Sequence, residues 1–269
     1  MNRVVVCGGC GKMASLAATY IYDDPKLQLV GIVEAPTHPA CGKDWGEALG
    51  KKKSNIIVED NLERVIDQCE VVVDFTNPEA SLAHLAICVA HKKAKKAMVI
   101  GTTGFTDSQL KEIEKASGDL PIVLSPNMAL GVNLLFELVK KVSSILDDQY
   151  DIEIIETHHR YKKDAPSGTA QKIAEIIAQE RNINLAEKAV YGRFGKVGER
   201  KPGEIGIHAV RAGDINGEHT IIFNSAGERL ELTHKAYSRE AFAQGALKAI
   251  HFILNQQKGL FSMKEVLNL

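Results

Sequence analysis

The chain has 269 residues, 45% hydrophobic and 25% charged, enough apolar sequence to bury one large domain or two ordinary ones. Its 33 basic and 34 acidic residues leave a formal net charge of −1, which argues against a general nucleic-acid or membrane-surface binder. No apolar run reaches membrane-spanning length, and the four apolar residues from Val4 to Cys7 are too few for a secretion signal, so a cytoplasmic location is expected.

In chain order, Arg3–Gly8 reads as a strand and Lys12–Tyr22 as a helix stopped by Asp23-Asp24-Pro25. Leu27–Glu34 is a second strand and Ile56–Val58 a short third. Asn61–Cys69 reads as a helix with Asn61 as N-cap. Glu70–Thr76 is a buried strand, and Pro78 then starts a helix, where its missing N–H costs little. "AMVIGTTG" and "LPIVLSPN" are two more strands around a helix at Asp107–Lys115. Apolar strands alternating with helices mean a parallel sheet covered on both faces. The basic runs Lys51–Lys53 and Lys92–Lys96 read as solvated charge.

The pattern changes after Pro126. A helix is expected over Val132–Leu146, and "YDIEIIETHH" alternates like a half-exposed strand, with Ile152, Ile154 and Glu156 on one face. Ser167–Arg181 reads as a helix and Tyr191–Gly203 as a long glycine-bearing loop. Strands follow at Ile205–Ala212, His219–Asn224 and Arg229–His234, giving a mixed or antiparallel sheet. The last helix is expected over Ser238–Gln257, capped by Ser238, with Phe242, Leu247, Ile250 and Leu254 as core positions. Five irregularly spaced cysteines read as reduced thiols. Cys7 and Cys10 form a C-x-x-C, but no second ligand pair has metal-site spacing, so no metal is expected.

"VVVCGGCGKMA" places glycines between a strand and a helix and fits G-x-x-G-x-x-A on Gly8, Gly11 and Ala14. Gly8 permits the turn, Gly11 lets backbone approach a pyrophosphate, and Ala14 allows close helix packing. Glu34 ends the next strand, where a carboxylate accepts from ribose hydroxyls. A dinucleotide cofactor is therefore expected. Glu34 repels a 2′-phosphate and favours NADH, while Lys12 offers a cation that would favour NADPH. The strand ends Phe75-Thr76, Gly101-Thr102-Thr103 and Ser125-Pro126-Asn127-Met128 lie where parallel sheets bind ligands, although helix capping explains the same residues.

"HHRYKKDAPSGTA" (158–170) carries two histidines, an arginine and two lysines before a helix start. His158 and His159 point to opposite faces of a strand and do not chelate one metal easily. Ser167 is a candidate N-cap. Gly168 and Thr169 then offer N–H groups and a hydroxyl at the positive end of a helix dipole, suited to a carboxylate or phosphate. A histidine, and a lysine whose pKa falls among neighbouring cations, are groups that transfer protons near neutrality.

"EIIETHHRYKKDAPSGTA" closely resembles the signature of the dihydrodipicolinate reductase family. So do "GGCGKM", "VVVDFTNPE", "MVIGTTGF", "SPNMALGVN", "VYGRFGKVGERKPGEIGIHAVRAGDINGEHT" and "GERLELTHKAYSR", over essentially the whole chain. The resemblance implies an α/β protein. A Rossmann-type dinucleotide domain would comprise 1–127 and 237–269, and an α+β substrate and oligomerisation domain with a mixed sheet 128–236, assembled as a homotetramer. It implies NAD(P)H-dependent reduction of a cyclic, unsaturated dicarboxylate to tetrahydrodipicolinate, in lysine and diaminopimelate biosynthesis. His158 would be the general acid/base and Lys162 the proton donor, with His159, Gly168 and Thr169 binding substrate. Cofactor contacts would fall on Gly8, Gly9, Cys10, Gly11, Lys12, Met13, Glu34, Phe75, Thr76, Gly101, Thr102, Thr103, Ser125, Pro126, Asn127 and Met128. Two positions depart from the pattern of many members: Ala35 stands where a basic residue follows the acid, and Ala14 replaces a glycine. The alternatives are another NAD(P)-dependent reductase of aspartate-derived metabolites and a nucleotide-sensing regulatory protein.

Overall fold

Valine-rich strands that are apolar on both faces need cover on both sides, and the helices between them provide it. The computed structural model describes residues 1–91 and 96–269. Most of the Lys92–Lys96 run therefore lies outside the described residues. The chain divides into two compact units, residues 1–130 with 240–269, and residues 131–239.

The first unit contains β1 (Asn2–Cys7), α1 (Ala14–Asp23), β2 (Leu27–Val33), α2 (Trp45–Ala48), β3 (Val58–Glu59), β4 (Val71–Asp74), α3 (Pro78–Ala90), β5 (Ala97–Ile100), α4 (Asp107–Ala116) and β6 (Pro121–Leu124). Its sheet is entirely parallel, in the order β12-β6-β5-β4-β1-β2-β3, where β12 is Gly259–Phe261 from the C-terminus. Val4, Val5, Val6, Val71, Val72 and Val73 are fully buried, each contributing about 1.5–3 kcal/mol of transfer free energy as an upper bound. Asn77 caps α3 through the Ala80 N–H with Pro78 in its first turn, and Thr106 with Gln109 forms a capping box on α4.

Several local expectations are corrected. Asn61 does cap a turn, but 61–69 forms two 3₁₀ turns, Leu62–Arg64 and Ile66–Gln68, not one α-helix. The buried Lys96 ammonium donates to the carbonyls of Ile66 and Cys69, both at 2.5 Å, and so satisfies the end of that segment by a side chain. The first helix begins at Ala14, not Lys12, so 8–13 stay free as a loop. The last long helix, α8 (Glu240–Ile253), starts two residues after Ser238 and ends before Gln257. Its buried stripe is Ala243, Gly245, Ala246, Ala249, Ile250 and Ile253, whereas Phe242, Leu247 and Leu254 are half-buried. Small residues allow close approach, and α8 packs on α1, whose buried residues are also mostly alanine. His251 meets Asp24 at 2.9 Å beside this contact. The remaining C-terminal residues add β12 and the short helix α9 (Met263–Leu267), which the sequence reading did not separate.

The second unit contains most of α5 (Leu130–Ile145), then β7 (Asp151–His158), α6 (Gly168–Glu180), α7 (Leu185–Lys188), β8 (Ala189–Tyr191), β9 (Ile205–Arg211), β10 (Gly217–Asn224) and β11 (Arg229–Ala236). The sheet order is β11-β10-β7-β9-β8, antiparallel at β7–β10 and β10–β11 and parallel at β7–β9 and β8–β9. The alternation of β7 is as expected: Ile152, Ile154, Glu156 and His158 are buried and the residues between them are not. Ile152, Ile154, Ile205, Ile221 and Phe223 form one core with Leu135 and Val139 of α5 and Ile173 and Ile177 of α6. On the other face, Glu153 receives Arg193 at 3.0 Å, Arg200 at 2.7 Å and His208 at 2.6 Å, which pins the loop 192–203 to the sheet. All four glycines in that region, Gly192, Gly195, Gly198 and Gly203, have positive φ.

Candidate active site

Glycines in the loop 8–13 stand where a side chain would meet the protein itself. Gly8 has φ +77°, and a Cβ there would stand 2.9 Å from the Phe75 carbonyl oxygen. The Gly11 N–H closes the turn on the Gly8 carbonyl at 2.8 Å. Trp45 holds the Gly9 carbonyl at 2.9 Å. Met13 precedes α1 without a side-chain cap, and the Ser15 N–H turns back onto the Gly11 carbonyl at 2.9 Å. The Cys10 N–H donates to Glu34 Oε1 at 2.7 Å. Glu34 thus braces the loop with one oxygen. The loop fits a dinucleotide pyrophosphate, with glycine wherever a side chain would crowd the turn.

The neighbouring strand ends converge on a residue that the sequence reading passed over. Asp74 is fully buried, and its Oδ1 accepts from the Thr76 N–H at 3.1 Å, Thr76 Oγ1 at 2.6 Å, Ser81 Oγ at 2.7 Å and Thr102 Oγ1 at 3.0 Å. Its Oδ2 meets His84 Nδ1 at 2.6 Å. Burial raises the Asp74 pKa, but His84 and the hydroxyl donors outweigh it and hold the group below the usual carboxylate range. Thr76 and Thr102 therefore use their hydroxyls inside the protein, while the Thr103 side chain is exposed. Gly101 is required because an added Cβ would overlap the Phe75 ring. Ser125 Oγ donates to the Asn127 carbonyl at 2.8 Å, and Met128 is buried. Among the described residues, one trio could approach a metal, Cys7, Asp74 and His84, within 4.8 Å of one another. The donors on Asp74 and the buried, strongly raised Cys7 thiol make it a hydrogen-bond network. All five cysteines are free.

In the second unit, His158 ends β7 with Nδ1 2.5 Å from Glu156 Oε2. Glu156 is fully buried and also receives both Arg211 nitrogens, at 2.7 and 2.8 Å, and the Ser167 N–H at 3.0 Å. Ser167 caps α6 through the Ala170 N–H, as expected, and its Oγ lies 3.1 Å from His219 Nε2. The His219 ring meets that of His158 edge-on, centroids 5.3 Å apart. Gly168 is exposed, and nothing lies within 4 Å of a Cβ built there, so the helix start is open. Thr169 follows it, partly exposed. His159 lies 6.2 Å from the Tyr161 ring. The Lys162 ammonium lies 2.9 Å from Asp164, so its neighbour is a carboxylate and not only the cations expected from sequence. Arg160, Tyr161 and Lys163 are exposed.

Burial pulls the His158 pKa below its ordinary value against the opposing pull of Glu156, with Lys162 and Arg211 lowering it further. His219 is pushed down to about 3 by burial and then by His158. The unfolded chain therefore takes a proton on His219 first. The stability tied to its neutral ring is intact above about pH 6.5 and is lost as pH falls from there toward 3, about 2 kcal/mol by pH 5. Urea unfolding at about pH 7.5 and pH 5 should show a smaller acid loss in His219→Gln than in the unsubstituted chain. Equal losses would remove His219 as the cause. Glu156, Arg211 and His219 were missed as site residues. The signal for Glu156 was its place two residues before His158 on one strand face. Arg211 and His219 come from strands whose pairing with β7 depends on register.

The dihydrodipicolinate reductase N-terminal family profile matches residues 2–128 and the C-terminal profile matches residues 131–267. A 4-hydroxy-tetrahydrodipicolinate reductase of Syntrophus aciditrophicus is 46% identical over 99% of this chain and 98% of its own. One of Hahella chejuensis is 44% identical over the full length of both. The solved structure of dipicolinate-bound dihydrodipicolinate reductase from Paenisporosarcina sp. TG-14 superposes with a TM-score of 0.77, at 29% identity and 98% coverage of both chains. With both halves of the sequence matched, this chain belongs to the dihydrodipicolinate reductase family.

Proposed function

We propose that the chain reduces 4-hydroxy-tetrahydrodipicolinate to tetrahydrodipicolinate with NADH or NADPH, in the biosynthesis of lysine and diaminopimelate. The observation that carries this reading is the open start of α6, capped by Ser167 and with Gly168 exposed, in the same unit as a buried His158 and a partly exposed Lys162. The first unit would hold the dinucleotide on Gly8–Met13, Glu34 and the three strand ends, and the second unit would hold the dicarboxylate.

A bound reduced nicotinamide supplies the hydride. Loss of the 4-hydroxyl as water gives a conjugated C=C–C=N system, and hydride addition to it builds negative charge that a proton must meet. Lys162 donates that proton from its ammonium, and His158 relays it as general acid/base. Gly168 and Thr169 at the helix start, with His159, bind the ring carboxylates. The outward face of the second sheet supports a homotetramer. Its Ile155 and Ile222 are only half-buried and Val210 is exposed, while Phe194 on the pinned loop is 98% exposed. Among the described residues no helix is long and apolar enough to cross a membrane. Together with the balanced charge and reduced thiols, this supports a cytoplasmic enzyme that binds neither nucleic acid nor membrane.

NADH is the favoured cofactor, because the Glu34 carboxylate repels a 2′-phosphate and Ala35 supplies no cation. The substrate, formed from pyruvate and aspartate semialdehyde, should drive oxidation of both cofactors, with kcat/KM higher for NADH. A clear NADPH advantage would reverse the cofactor assignment and point to Lys12. Failure of the substrate to drive oxidation of either cofactor would overturn the function.

A further inference from the structure

Glu156 is a fully buried carboxylate in a unit that could have closed its core with an apolar residue there. A buried carboxylate is costly unless each oxygen is paired. Arg211, which faces His158 in the β7–β9 register, meets both oxygens in a fork and would suffice to neutralise it. Two further donors are present, and both belong to the site described above: His158 Nδ1 at 2.5 Å on Oε2 and the Ser167 N–H at 3.0 Å on Oε1.

We infer that Glu156, held by Arg211, is a positioning residue for the reaction: one carboxylate fixes the tautomer of the proton-relay histidine and anchors the start of the substrate-binding helix. This rests on the proposed function and deepens it. An ionised carboxylate only accepts hydrogen bonds, so the proton of neutral His158 resides on Nδ1 and Nε2 presents a lone pair. The path to Nε2 is kept clear by Gly217, where an added Cβ would stand 3.0 Å from that nitrogen. Through Oε1 the same carboxylate fixes Ser167, whose hydroxyl caps α6 on the Ala170 N–H. A shift of Glu156 therefore moves the relay nitrogen and the helix start together. The other groups facing His158 are Lys162 and His219, and neither touches Nδ1.

The test uses two variants of the full chain and nitrogen NMR of labelled histidine, which reads tautomer and titration without turnover. Glu156→Gln removes the group that raises the His158 pKa, so His158 should titrate lower, and Nδ1 should cease to be the dominant N–H. Arg211→Met removes a cation that lowers it, so His158 should titrate higher. In kinetics, Glu156→Gln should lower kcat about 10–100-fold and raise the substrate KM, with cofactor KM unchanged. The acid limb of the pH profile should move in opposite directions in the two variants. A purely structural carboxylate would lose activity only in proportion to the folded fraction, with no opposed shifts, and that result overturns the inference. A wild-type chain that does not turn over the substrate overturns the functional reading and the catalytic part of this one. Opposed NMR shifts would then still establish the tautomer.

Discussion

His158→Ala and Lys162→Ala should each lower turnover by about 10²–10⁴-fold, with cofactor affinity within about two-fold of the unsubstituted chain. The two losses have different origins. His158 is nearly buried, neutral at physiological pH and bonded at Nδ1, so its removal deletes the relay and leaves a void beside His219. Lys162 lies on the loop and is paired to Asp164, an exposed carboxylate that a substrate anion can replace. Its removal should cost activity with no change in melting temperature. His158→Ala should cost both, because Glu156 then loses one of its four donors. The pair acts on one proton, so the double variant should be little slower than the worse single one. Near wild-type turnover in either single variant would refute the assigned roles.

Gly245→Ala should destabilise the first unit, against the usual sign for that substitution. In an exposed helix, alanine in place of glycine gains about 1 kcal/mol of propensity. At Gly245 an added Cβ would overlap the backbone carbonyl oxygen of Met128, which cannot rotate away as a side chain would. Overpacking of this kind costs about 1–3 kcal/mol or more, for a melting-temperature fall of about 3–10 °C in a chain this size. Cofactor KM should rise as well, because Met128 ends the segment assigned to the dinucleotide. Unchanged or raised stability by thermal melt would show that α8 does not sit tightly on this strand end.

The parallel sheet was legible because its strands are apolar on both faces, and the site stretch was legible because histidine, lysine and a helix cap fall within thirteen residues. What stayed hidden was set by tertiary partners. Asp74 looked like an ordinary strand-end acid until Ser81 and His84 of α3 and Thr102, just past β5, closed on it. The 61–69 segment lost its expected α-helix where the Lys96 ammonium satisfies the carbonyls of Ile66 and Cys69. In α8 the hydrophobic ranking favoured Phe242 and Leu247, but close packing on α1 selects the alanine face. Arg211 carries no local signal at all. Only the parallel register of β7 with β9 brings it to Glu156.

Isotope transfer reads the hydride reduction of a cyclic dicarboxylate without relying on absorbance alone. The chain should be given the condensation product of pyruvate and aspartate semialdehyde together with NADH deuterated at the transferring position of C4. The product, analysed by mass spectrometry, should be tetrahydrodipicolinate carrying one deuterium, formed in step with cofactor oxidation. Oxidation without deuterium in the product, or no substrate-dependent oxidation with either cofactor, would rule out hydride transfer to this substrate.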